Sequence, residues 1–173
     1  MLETTRQAVR KGLALGVVAG LIFGVAETAG AALAGNPALM PVRMFASVVM
    51  GRPAMDPVTS AGTVVLVGSI AHLALSAVFG LIYALLMVRA SRETQASLGR
   101  QALLGLGFGV ALYLVNFQVI ARLLYPWFLE MPQLEPVVMH AMLFGLPLGL
   151  LYAMAERKVH TVGGAISPRR DSR

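Results

Sequence analysis

The chain has 173 residues, 57% of them hydrophobic, and a mean hydropathy of +0.75, more apolar than one soluble core of that length requires. It holds no Cys, which excludes disulfides, thiolate metal sites, iron–sulfur clusters and cysteine nucleophiles. Its net charge of +6 is distributed as an orientation signal and, more weakly, as attraction to anionic lipid; nothing in it suggests nucleic acid.

Four segments, about 12–35, 61–88, 101–121 and 136–155, carry at most one ionisable residue each and approach the ~20 residues that cross ~30 Å of hydrocarbon. Lipid cannot pair with free backbone groups, and these runs are too long and too evenly apolar for barrel strands. The predicted fold is therefore all-α, a four-transmembrane-helix bundle in one domain over residues 1–158, with a short interfacial helix in the first outer loop.

The first span places glycine at Gly12, Gly16, Gly20 and Gly24 and then carries Glu27. At ~100° per residue the glycines spread over about 120° and Glu27 falls in the middle of the stripe. A small-xxx-small stripe is where another helix approaches closely, so Glu27 is expected to face protein. The basic start, apolar run and Ala32-Leu33-Ala34 together mimic a secretory signal, but the run exceeds the ~7 to 15 residues of a signal core and contains Glu27, so it is read as a span.

In the first outer connection Pro41 opens a short helix over 41–51, with Arg43 and Ser47 on a face opposite Phe45, Val48 and Val49. Span two groups Ser69, His72, Ser76, Gly80 and Tyr83 within about 80°, and span three groups Gly105, Gly109, Tyr113 and Asn116 likewise. The second outer connection, LLYPWFLEMPQLEP, gathers Tyr125, Trp127 and Phe128 beside Arg122 and Glu130, as an aromatic belt does. In span four His140 points away from the stripe of Ala141, Gly145, Gly149 and Ala153 unless Pro147 bends the helix. Residues 159–173 read as a disordered tail.

Eleven basic residues, among them Arg10, Lys11, Arg89, Arg92, Arg100, Arg157 and Lys158, fall on one side of a four-span topology, against Arg43, Arg52 and Arg122 on the other. The positive-inside bias puts both termini in the cytoplasm. Counted from the nearest cytoplasmic-side charge, Glu27, His72, Asn116 and His140 each lie about 16 residues, or ~25 Å, into the membrane. Four polar side chains at one level, where a charge at mid-membrane costs ~2.5–3.5 kcal/mol, are expected to be paired, with Glu27 to His72 as the leading pair and Asn116 in support. FGVA at Phe23–Ala26 and Phe108–Ala111, and GLIYA and GLLYA at Gly80 and Gly149, suggest a duplicated two-helix hairpin.

No HExxH, GxSxG or Asp-rich metal motif is present, so the enzyme reading has thin support. A metal held by His72, His140 and Glu27 and a bis-histidine haem b between His72 and His140 are conceivable, although no cofactor is predicted. Two broader readings stay open. One is an accessory or assembly subunit of a membrane complex; the other is proton- or cation-coupled solute transport, for which four spans are few and a homo-oligomer or other membrane subunits would be needed.

The runs MPVRMFASVVMG, HLALSAVFGLIYALL and LVNFQVIARLLYPWFLEMPQL resemble a family of small four-span bacterial membrane proteins of uncharacterised activity, with similarity from Gly12 to Lys158. Some members of that family go by the label sodium:proline symporter, but solute:sodium symporters use ten or more spans with broken helices, and this chain has no such pair of breaks. The resemblance implies a bacterial inner-membrane location and supplies no site residues.

Overall fold

The computed structural model describes residues 2–166, and side chains over 5–158. Among the described residues there is no strand. Helix α1 spans Leu2–Leu33, α2 Met40–Met50, α3 Ala61–Met87, α4 Arg92–Ala96 and α5 Leu98–Leu124. Helix α6 begins as Leu134–Met139 and runs through His140–Gly145 into Leu146–Ile166. Its backbone thus extends past the expected start of the tail at 159; residues 167–173 of that expected tail lie outside the described residues.

Local chemistry sets the helix ends. Gly35, at φ 78°, closes α1: its N–H bonds the Ala32 carbonyl and that of Asn36 the Ala31 carbonyl, a pairing that needs a left-handed residue. Ser91 caps α4 and Ser97 caps α5, each accepting a backbone N–H three residues on, which starts α5 slightly earlier than its apolar run.

Helices α1, α3, α5 and α6 are each long and apolar enough to cross a membrane, yet only 22% to 39% of their most apolar windows is buried. The remainder, such as Val25, Leu66, Ile70 and Leu103, faces outward. Such a surface is costly in water and costs nothing in hydrocarbon, so the chain reads as a multi-pass membrane protein.

Two glycine seams hold the bundle. A Cβ on Gly16 would overlap the Ser76 carbonyl, and one on Gly80 the Gly12 carbonyl and the Gly16 backbone, so α1 and α3 touch backbone to backbone. Gly105 and Gly109 of α5 meet Gly145, Gly149 and Ala141 of α6 in the same way. The seams correspond residue by residue: Gly20 on Ser76 matches Gly105 on Gly145, and Gly16 on Gly80 matches Gln101 on Gly149. The short sequence matches between the hairpins are therefore also matches of contact register.

Between the hairpins lies a core of Phe23, Tyr83, Leu112, Phe144, Leu148 and Tyr152. Tyr83 donates to Gln101 Oε1 at 2.7 Å. In the other hairpin the place of Gln101 is taken by Gly16, and the buried Tyr152 hydroxyl has no partner among the described residues. Nearby, Lys11 pairs with the buried Glu156, its ammonium 4.3 Å from the Tyr152 ring centre.

Helix α2 packs on α3, where Gly68 admits the Val42 carbonyl. Ser47 is fully buried and accepts from Trp127 Nε1 at 2.9 Å, while Arg43 donates to the carbonyls of Ala54, Asp56 and Thr59. The guanidinium thus bonds three carbonyls of the following turn, of which that of Asp56 also accepts the Thr59 N–H.

Candidate functional site

A cavity of about 290 Å³ lies at the α2 end of the bundle. Its walls come from α1, α3, α5 and α6, and its roof from α2 and the 125–131 connection. Glu27, His72, Asn116 and His140 all line it. So do Ser76 and, unforeseen from the sequence, Glu135, together with the rings of Phe23, Phe45 and Phe117.

The glycine ladder explains how His72 reaches this place. A Cβ on Gly20 would overlap the Ser76 side chain, and one on Gly24 would come within 3.4 Å of His72 Nε2. With both notches empty, His72 Nε2 sits 2.8 Å from the Gly20 carbonyl and its ring stacks on Phe45, centroids 4.1 Å apart. Ser76 closes the turn by donating to the His72 carbonyl at 2.7 Å.

His140 reaches the cavity because the helix changes pitch. Residues His140–Gly145 are π-helical and end two residues before Pro147. Proline withholds the N–H that would bond the Leu143 carbonyl and crowds it, and a wider turn relieves that crowding. The widened turn rotates His140 from the direction an ideal helix gives it. Its Nδ1 lies 2.8 Å from the Pro136 carbonyl, and its ring meets Phe23 and Phe117 edge-on. Asn116 also stands on π-helical backbone, Leu114–Ala121, so both π segments border the cavity.

The expected Glu27–His72 pair is not formed. A carbonyl only accepts, so the His72 nitrogen at Gly20 carries a proton and is committed there, and the same holds for His140 Nδ1 at Pro136. In the neutral rings the other nitrogen of each is an acceptor. Glu27 and Asn116 are half-buried and make no side-chain hydrogen bond or ion pair among the described residues; Glu135 lines the same cavity. The four predicted residues thus share a cavity without bonding to one another.

The remaining expected residues divide. Ser76 is buried at the cavity, whereas Ser69 is exposed and outside it, one residue past the contact of Gly68 with α2 and turned from it. Tyr113 is buried, and its hydroxyl joins Gln118 at 2.7 Å and Gln133 at 3.3 Å, tying α5 to the connection above. Arg122 is exposed and bonded to Gln118, and Arg52 pairs with Glu130 at 2.9 Å. Trp127 and that ion pair fasten the two halves of the roof together. Glu135 lies just before the apolar run that begins at Pro136, and its place five residues before His140 is the signal in the sequence that points to it.

Among the described residues no group of three or more His, Cys, Asp or Glu is arranged to hold a metal. The Phe23 ring lies 5.6 Å from that of His72 and 5.2 Å from that of His140, and His72 Nε2 is engaged by the Gly20 carbonyl. No family model, curated protein or solved structure matches the chain.

Proposed function

We propose that this protein binds a small molecule inside the membrane and handles it as a solute, with both termini cytoplasmic, in a bacterial inner membrane as the resemblance implies. The observation that supports this is the cavity: it is walled by all four long helices, and three of its lining residues, Leu75 of α3, Ile120 of α5 and Glu135 of α6, are exposed. A cavity reached between two lipid-facing helices suits a ligand that arrives through the bilayer. The volume is small, about that of ten waters at ~30 Å³ each, and suits a ligand of one ring or a short chain. Movement across the membrane, as opposed to binding, calls for a second copy or another subunit, since four spans leave few walls for a path.

The test is mass spectrometry of the organic extract of purified protein, comparing wild type with Ile120→Trp, which fills the entrance. The expected result is one small species near one per chain, lost in the variant. Identical extracts from both would refute the proposal. Stoichiometric co-purification of other membrane proteins with an empty extract would favour the accessory-subunit reading instead.

A further inference from the structure

Three features of the cavity converge on one ligand chemistry. First, its lining holds two carboxyl groups, Glu27 and Glu135, and no Lys or Arg is among the lining residues. Second, the arginines at that end are committed elsewhere, Arg43 to three loop carbonyls, Arg52 to Glu130 and Arg122 to Gln118. Third, the walls are built of aromatic rings, and ring faces attract cations while apolar bodies pack on them. The free nitrogens of the two imidazoles add acceptors and no donor.

We infer that the cavity is a site for a small organic cation, an ammonium head on an apolar body, entering sideways between α3 and α5 at Leu75 and Ile120. The inference rests on the proposed ligand-binding role. A cation beside Glu27 and Glu135 supplies the counter-charge that the cavity lining withholds. The body of the ligand lies against Phe45 and Phe117, where an anion would meet two carboxylates and a neutral molecule would leave them unpaired.

The experiment is equilibrium dialysis of the full chain in lipid nanodiscs, with empty nanodiscs subtracting partition into lipid. Three radiolabelled probes of similar shape are compared: phenyltrimethylammonium, whose charge is independent of pH, its carbon counterpart tert-butylbenzene, and benzenesulfonate. The expected order is saturable binding of the cation about tenfold tighter than the neutral probe, with no binding of the anion. Glu27→Gln, and separately Glu135→Gln at the exposed rim, each lower cation affinity about fivefold or more and leave the neutral probe unchanged, which also reports that the variant is folded. Equal affinity for cation and neutral probe, or a cation affinity indifferent to both substitutions, overturns the cationic ligand and leaves the cavity reading standing. Saturable binding of none of the three overturns the cavity reading as well.

Discussion

Alanine at Gly80 tests whether the seam between α1 and α3 is as close as described. A Cβ there would overlap the Gly12 carbonyl and the Gly16 backbone. Across the same contact, a Cβ on Gly16 would stand 2.9 Å from Gly80 Cα and 3.0 Å from Gly80 N, where ordinary contact begins at 3.4 Å. The obstructing atoms are backbone on both sides and cannot rotate away, so the helices must part by roughly half an ångström or more, and overpacking of this kind costs ~1–3 kcal/mol. Helix propensity returns ~0.5–1 kcal/mol for Gly→Ala, leaving a net loss of up to about 2.5 kcal/mol. Gly107 of α5 has nothing within 4 Å of its Cβ position, so there the same substitution keeps only the propensity gain and stabilises by ~0.5–1 kcal/mol. Gly149→Ala, the counterpart in the second hairpin, follows Gly80→Ala. The assay is reversible unfolding in mixed micelles with added SDS, followed by helical circular dichroism. Stabilisation of Gly80→Ala to the same degree as Gly107→Ala would refute the seam.

Three further substitutions probe buried polar groups by the same assay. Tyr83→Phe removes the donor to Gln101 and leaves a buried acceptor unpaired, a loss of ~1–3 kcal/mol, whereas Tyr152→Phe removes a hydroxyl with no partner and is neutral or mildly stabilising. Equal losses for the two tyrosines would contradict the unequal bonding of the two hairpins. Lys11→Met strands Glu156 unpaired and destabilises by ~3–5 kcal/mol, and adding Glu156→Gln restores most of it; a double variant no better than the single would show that the ion pair is not what holds this end. Ser47→Ala deprives the indole N–H of Trp127 of its acceptor, for about 1 kcal/mol, and shifts the emission of the sole tryptophan, so an unchanged spectrum and midpoint would argue against the tie across the roof.

What the sequence determined by itself is the all-α class, the number of helices long and apolar enough to cross a membrane, and the glycine stripes along which they touch. Hydrocarbon thickness, the need to satisfy every backbone group and the 1.5 Å rise per residue act along the chain and require no knowledge of neighbours. Thus Glu27, His72, Asn116 and His140, placed at one level by counting, line one cavity. Direction around the helix axis was less legible. Ser69 shares a wheel sector with His72 and is nevertheless exposed, and His140 turns into the cavity because a π turn before Pro147 alters the angle per residue. Pairing was decided only in three dimensions. Gly20 and Gly24 bring a main-chain carbonyl within reach of His72, that carbonyl displaces Glu27 as its partner, and Glu27 shares the cavity with Glu135 and with no Lys or Arg. A residue's depth follows from its own position in the chain, but its partner depends on which backbone groups the packing of other helices leaves nearby.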